Sequence, residues 1–192
     1  MSAQDRLITS EDSASTLAEQ FEDAASWEQF LASVVELREL WLAVARRAAV
    51  PEEFAARVRA VPGRWKLLVL AEDWCGDAVN SLPYLAALER AAPNLELRLL
   101  GRDANPDLMD AHLTGTSRSI PVVMLLDEGY GEVAWWGPRP AELQAWFRAE
   151  GVHLERSERY WQMRQWYARD RGRSTLEEVI RLIERAAYSA AA

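Results

Sequence analysis

The residues Glu72-Asp73-Trp74-Cys75-Gly76-Asp77-Ala78 follow a short apolar run, residues 65–71, and precede leucines at helical spacing. The apolar run predicts a buried strand and the leucines predict a helix, so Cys75 lies where a strand gives way to a helix. Unpaired N–H groups and the positive end of the helix dipole favour a thiolate at such a position. The placement indicates a reactive thiol, and the alternative is an inert buried cysteine, which is the common fate of a lone one.

The pattern beyond the cysteine alternates strands with helices and ends in a hairpin. Pro62-Gly63 marks a turn before the first strand, Asn105-Pro106 begins a short helix, and Gly129-Tyr130-Gly131 separates the last two strands. This order predicts an α/β fold with a central mixed sheet of four strands. The predicted strands cover residues 65–71, 95–100, 121–126 and 132–136.

Helical patterns precede and follow the predicted strands along the chain. Ser26 and Gln29 predict a capping box in the first helical region, and Ser174 and Glu177 predict another at the start of the last helix. A further helix is predicted over residues 156–169. The apolar residues expected to line one face of a single early helix are Phe30, Val34, Leu37, Trp41 and Val44.

The chain is long enough for one compact domain with additions. We predict an N-terminal helical extension over residues 1–62, packed on the core, and an α/β domain over residues 63–150. A C-terminal helical extension over residues 151–192 completes the predicted organisation.

Several features together resemble one known family. Trp74-Cys75-Gly76 lies between a strand and a helix, Pro83 falls inside that helix, and Ile120-Pro121 opens a later strand. Residues 102–108 connect another strand to another helix. In this arrangement residues 63–150 resemble the thioredoxin family, which implies a thioredoxin-like fold with additional helices at both ends.

The resemblance also implies roles for single residues. Cys75 corresponds to the attacking cysteine, and Pro121 to the cis-proline whose missing N–H and fixed φ shape the wall facing the sulfur. The backbone of Ile120 corresponds to the one that pairs with a bound substrate. Gly76 permits close approach of another backbone. The predicted substrate-binding residues are Trp74, Gly76, Asp77, Arg118, Ile120 and Pro121.

Four positions depart from the family pattern. Ala78 stands in place of the resolving cysteine, and Asp77 in place of the usual proline. Val69 replaces a buried acid, and Leu99 replaces the lysine often paired with it. Without a second cysteine, a mixed disulfide at Cys75 cannot be released from within the motif. Ordinary dithiol reductase activity is therefore not expected.

The charges close to the cysteine in sequence are acidic. Residues 71–89 contain no lysine or arginine. Nearby carboxylates raise the pKa of a thiol, so we predict that Cys75 is less acidic than the attacking thiol of a dithiol thioredoxin. The acidic residues of this stretch are Glu72, Asp73, Asp77 and Glu89.

Arg118 is the basic candidate for this site, three residues before Pro121 on the loop expected to face Cys75. It is a candidate to hold a substrate carboxylate, such as one on glutathione, or to pair with Asp77. The alternative is an exposed arginine at a loop tip.

Composition excludes several classes of function. A net charge of −8 argues against binding to nucleic acid or to an acidic membrane, since both require a basic surface. The first fifteen residues lack the apolar core of a signal peptide, and the single cysteine suits a reducing compartment, so a cytoplasmic location is expected. A zinc site is not expected from one cysteine and two histidines.

Three functions remain open. The leading hypothesis is a monothiol thiol–disulfide oxidoreductase that acts through a mixed disulfide at Cys75 on a protein or small-thiol disulfide. It needs no bound cofactor, and a low-molecular-weight thiol such as glutathione completes the cycle. The alternatives are a non-catalytic module that binds a protein or peptide near Trp74 and Pro121, and a sensor that oxidises Cys75 to sulfenic acid. The sequence leaves the oligomeric state open.

Overall fold

The computed structural model describes residues 10–189, with side chains from residue 16 onward. Residues 1–9, which belong to the polar segment used to argue against a signal peptide, lie outside the described residues. The elements are α1 (Ser10–Asp23), α2 (Trp27–Ser33), α3 (Arg38–Arg47), α4 (Glu52–Ala60), β1 (Trp65–Ala71), α5 (Gly76–Ala91), β2 (Leu95–Gly101), α6 (Pro106–Ala111), β3 (Val122–Leu126), β4 (Glu132–Trp136), α7 (Ala141–Ala149), a 3-10 turn (Gly151–His153), α8 (Arg156–Asp170) and α9 (Arg173–Ser189).

The four strands form one sheet in the order β2-β1-β3-β4. β1 pairs parallel with β2 and antiparallel with β3, and β3 pairs antiparallel with β4. Every residue of β1 and β3 is buried, because helices cover both faces of these central strands. The predicted fold class, a mixed four-stranded sheet flanked by helices, is confirmed.

The N-terminal helices are attached to the free edge of the sheet. The backbone N–H of Ala25 donates to the carbonyl of Leu99 at 3.0 Å, and the N–H of Leu99 donates back to Ala25 at 2.8 Å. Such pairing satisfies backbone groups that an edge strand otherwise leaves open. The capping box predicted at Ser26 and Gln29 is present at the start of α2. Helices α4 and α5 both pack against α9. Phe21 of α1 and Ile183 of α9 belong to the same core as the sheet, so helices from both ends of the described chain contribute to it.

The single early helix expected from Phe30 to Val44 is wrong. Two helices, α2 and α3, take its place, and Leu37 between them adopts a left-handed backbone with φ of 51°. Val34, Trp41 and Val44 are buried in the core, whereas Leu37 is 41% exposed at the break. The apolar spacing therefore identifies most of the buried side chains and misses both the break in the backbone and the exposure of Leu37.

Asp73, two residues before the cysteine, holds this break in place. Its carboxylate Oδ2 accepts hydrogen bonds from the backbone N–H groups of Val35 and Glu36, both at 2.9 Å. The indole Nε1 of Trp41 donates to the Asp73 carbonyl at 2.8 Å. These bonds satisfy the backbone donors of the segment between α2 and α3 and tie the N-terminal helices to the cysteine segment.

The capping box predicted at Ser174 and Glu177 is also wrong. The turn between α8 and α9 is made by Arg171 and Gly172, which have positive φ, and α9 begins at Arg173. Ser174 lies inside α9 and donates instead to Asp170, its N–H at 3.1 Å. A Cβ atom at position 172 would lie 2.2 Å from the ring of Tyr84, so only glycine permits this turn.

We predict that Asp73→Ala lowers the free energy of unfolding by about 1–2 kcal/mol, because two backbone donors lose their acceptor. Urea denaturation followed by circular dichroism measures the change. Glu36→Ala is the matched control, since it removes an exposed carboxylate from the same stretch and keeps the backbone N–H groups. Equal stability of the two variants would contradict the assigned role of Asp73.

Candidate functional site

Cys75 lies between the end of β1 and the start of α5, where it is the N-cap residue. Its Sγ accepts from the backbone N–H of Ala78 at 3.4 Å and donates to the carbonyl of Ile120 at 3.3 Å. The residue is only 6% exposed. The Ile120–Pro121 peptide bond is cis, and this loop faces the sulfur. The cysteine and the loop expected to face it are therefore in contact.

Burial raises the pKa of the Cys75 thiol to about 11. The negative charge of Asp77 raises it further, whereas the backbone N–H groups of Ala78 and Asp77 and the charge of Arg139 oppose the rise. Desolvation raises the pKa of the thiol by more than the N–H groups at the helix N-terminus lower it. The neutral thiol is therefore the dominant form at pH 7. The direction agrees with the weak acidity expected from the sequence.

Asp77 is buried and is bound by two side chains from distant parts of the chain. Its Oδ2 lies 2.8 Å from Nη2 of Arg139, in the loop after β4, and its Oδ1 accepts from the hydroxyl of Tyr167, on α8, at 2.8 Å. Burial raises the pKa of Asp77, and both partners act in the opposite direction by favouring the carboxylate. The pKa of Tyr167 is raised well above its usual value by burial and by Asp77, which keeps its hydroxyl a donor.

The suggested pairing of Arg118 with Asp77 is wrong, because Arg139 occupies that position. Arg118 instead makes two hydrogen bonds to the carboxylate of Asp110, at 2.7 and 2.5 Å. Its guanidinium remains half-exposed at the rim of the site. The sequence did not indicate Arg139 as the partner of Asp77, because Arg139 is 62 residues from Asp77 and 18 from Pro121.

A close backbone contact brings Arg139 to this position. Gly137 has φ of 138°, and a Cβ atom there would lie 2.1 Å from the carbonyl oxygen of Pro121. The loop after β4 therefore runs directly against the loop that faces Cys75. Arg139 follows two residues later, and its guanidinium also stacks 4.1 Å from the centre of the Phe147 ring.

A cavity of about 390 Å³ opens beside Cys75. Among its lining residues are six predicted from the sequence, and Pro121 is buried one residue beyond the wall. Trp74 stands at the rim, 46% exposed, with the Arg102 guanidinium 4.9 Å from its ring centre. The predicted residues in the lining are Trp74, Cys75, Gly76, Asp77, Arg118 and Ile120.

Sequence reasoning missed one whole wall of the cavity, which is formed by α8. Six α8 residues line it at the spacing of one helix face. That spacing was visible in the sequence, but nothing there showed that this helix covers the cysteine. The α8 residues in the wall are Arg156, Arg159, Tyr160, Met163, Arg164 and Tyr167.

The acidic surroundings expected for Cys75 are not what the structure shows. Glu72 accepts from the N–H of Asp103, Asp73 caps the break before α3, and Glu89 accepts from the N–H of Leu97. Of the nearby acids only Asp77 lines the cavity, together with six arginines. The carboxylates near in sequence are thus engaged by backbone donors, and the charge of the site comes from distant segments.

The two positions that lack the family's charged pair are apolar and buried. Val69 of β1 and Leu99 of β2 lie side by side in register, and each is at most 2% exposed. No group at these positions can take up or supply a proton under the cysteine. Ala78, in place of the resolving cysteine, is also fully buried.

A second cavity, of about 1030 Å³, adjoins the first and lies between α3, α5 and the α8–α9 turn. The two share Leu40, Asn80, Arg164 and Tyr167 in their walls. Within residues 10–189, no helix is long and apolar enough to cross a membrane, and no cluster of three or more metal-ligating side chains is formed.

A family model described as Thioredoxin matches residues 24–159, which is more than half of the chain. The chain belongs to the thioredoxin family. This thioredoxin-family match covers both the cysteine segment and the cis-proline loop. No curated protein matches the chain.

Among the solved structures that are similar to this chain, two match nearly the whole fold. One is the 1.5 Å crystal structure of a protein of unknown function, PA1234, from Pseudomonas aeruginosa, with a TM-score of 0.72 and 22% identity. The alignment covers 88% of this chain and 98% of that one. The other is an HIV epitope-scaffold, with a TM-score of 0.68, 21% identity and coverage of 87% and 96%. These similarities support the fold alone.

We predict that Asp77→Asn lowers the pKa of Cys75, because it removes a buried negative charge beside the sulfur and leaves Arg139 in place. The thiolate fraction at pH 8 then increases, and alkylation by iodoacetamide becomes faster. Intact-mass kinetics between pH 7 and 11 measure both pKa values. In the unaltered protein the rate rises about tenfold for each pH unit below the pKa.

Tyr167→Phe is the control for this prediction. It removes one hydrogen bond from Asp77 and keeps the carboxylate charge, so it leaves the Cys75 pKa raised. A Cys75 pKa below about 8.5 in the unaltered protein, the usual value for a free cysteine, would contradict the account.

Proposed function

We propose that this protein is a thiol–disulfide oxidoreductase that works through a single cysteine, Cys75. The observation that carries the proposal is the position of its sulfur. Sγ lies at the N-terminus of α5, 3.3 Å from the Ile120 carbonyl, on the wall of an open cavity. A thiol in this position reacts with a disulfide that enters along the cavity, and the helix N-terminus favours the thiolate as it forms.

The reaction divides into two exchanges. Cys75 loses its proton to solvent, and the thiolate attacks a disulfide R–S–S–R′, forming Cys75–S–S–R and releasing R′S⁻, which takes up a proton. A second thiol, R″SH, then attacks the mixed disulfide as its thiolate, giving R–S–S–R″ and returning Cys75 to the thiol form. The net change converts R–S–S–R′ and R″SH into R–S–S–R″ and R′SH, so the disulfide is the oxidant, the second thiol is the reductant, and nothing else is consumed.

An external thiol must complete the cycle, because position 78 carries alanine. The raised pKa of Cys75 limits the fraction of thiolate at neutral pH, and the rate of the first exchange is expected to rise with pH. The raised pKa also slows oxidation of Cys75, because the thiolate is the form that oxidants attack.

A non-catalytic binding module is the second candidate, and a specific observation favours it. Cys75 is 6% exposed, and its S–H is held by the Ile120 carbonyl. A protonated, buried thiol is the usual state of an inert cysteine. In this case the cavity binds its ligand without thiol–disulfide exchange, and Cys75→Ser still binds that ligand.

The two candidates differ in the product of a simple incubation. We predict that the folded protein, treated with oxidised glutathione at pH 8.5, gains one mixed disulfide on Cys75, detected by intact mass and peptide mapping. Addition of excess reduced thiol removes it. Cys75→Ser gains nothing under the same conditions.

A urea-denatured sample provides the intrinsic rate of the same thiol. If the denatured protein forms the adduct and the folded protein forms none after many hours, the cavity does not admit a disulfide to Cys75. The binding module would then be the correct assignment.

A further inference from the structure

Three arginines on α8 line the Cys75 cavity. Among the side chains that the structure describes, no Asp or Glu lies within ion-pair distance of Arg156, Arg159 or Arg164. Arg156 contacts the face of Tyr160, and Arg159 donates to the Gly151 carbonyl at 3.5 Å. Their charges are therefore available to a ligand.

The other three arginines of the cavity are already neutralised. Arg102 pairs with the adjacent Asp103, which is exposed, and Arg118 pairs with Asp110. Arg139 pairs with Asp77, which is the only acid among the described residues of the wall. The cavity consequently carries a net positive charge of about three, contributed by one face of α8, in a chain whose net charge is −8.

The dimensions of the cavity fit a small molecule. Its volume of about 390 Å³ falls in the range of about 300–1,000 Å³ that small-ligand sites occupy. Leu37, Trp74 and Met163 add apolar surface to its wall. A small ligand that combines an apolar portion with acidic groups therefore matches the size and the charge of the site.

We propose that the α8 arginines bind the acidic groups of a small organic anion whose disulfide is attacked by the Cys75 thiolate, or whose thiolate attacks the mixed disulfide formed on Cys75. The proposal rests on the function proposed above and names its substrate class. Guanidinium groups suit this task, because their planar donors match a carboxylate in a two-pronged hydrogen bond. Cationic substrates are repelled by the same three arginines.

Three disulfides of similar length and different charge test the substrate class. They are 3,3′-dithiodipropionate with two carboxylates, bis(2-hydroxyethyl) disulfide with none, and cystamine with two ammonium groups. The rate of the Cys75 adduct is measured for each by intact mass and divided by the rate for the urea-denatured protein, which corrects for intrinsic reactivity. We expect the corrected rate to be about tenfold or more higher for the dianion than for cystamine, with a preference that falls as salt rises.

The double variant Arg159→Gln/Arg164→Gln should reduce the dianion-to-cystamine ratio by about tenfold. Arg148→Gln is the matched control, because Arg148 is an exposed arginine on α7 outside the cavity, and its ratio stays as in the unaltered protein. Adducts that form equally from all three disulfides would overturn the substrate class and leave the proposed function intact.

Calorimetric titration of Cys75→Ser with 3,3′-dithiodipropionate separates the anion site from the chemistry. If Cys75→Ser binds the ligand, and the same protein with Arg159→Gln/Arg164→Gln added does not, the arginine site is supported. This holds even if no adduct forms on Cys75, in which case only the proposed exchange reaction fails. An absence of binding to Cys75→Ser overturns the arginine site.

Discussion

The buried contact of Asp77 with Arg139 and Tyr167 organises the whole site. It joins the first turn of α5, the loop after β4 and the helix α8, three segments that are far apart in the chain. Removing one partner of a buried ion pair typically costs about 3–5 kcal/mol, because the other charge is left uncompensated. The contact fixes α8 over the cysteine, and it accounts for an aspartate where the family pattern has a proline.

The same contact contributes to the electrostatics around Cys75, where burial is the largest cause of the raised pKa of the thiol. It introduces a carboxylate that opposes ionisation of the thiol, and Arg139 neutralises that carboxylate toward the cavity. Among the described residues of the wall, the remaining charge then belongs to Arg156, Arg159 and Arg164 of α8. Asp77 adds to the effect of burial on the pKa of the Cys75 thiol, whereas the α8 arginines supply the positive charge to which the proposed anionic disulfide would bind.

The sheet and the cysteine–cis-proline contact were accessible from the sequence, and the charge of the site was not. Trp74-Cys75-Gly76 and Ile120-Pro121 are local signals, and the alternation of apolar runs identified the four strands. The partners of Asp77 depend on how α8 and the loop after β4 fold back, which no spacing along the chain encodes. The helix break at Leu37 was missed for a similar reason, since its stabilising acceptor is on Asp73.

A crystal structure of the protein carrying the mixed disulfide formed from 3,3′-dithiodipropionate shows directly where the acidic group of the ligand lies. We expect the added sulfur bonded to Cys75 Sγ, the Asp77–Arg139 pair intact, and the ligand carboxylate within hydrogen-bond distance of Arg159 or Arg164. A ligand carboxylate directed into solvent, with α8 displaced and Tyr167 separated from Asp77, would contradict this expectation.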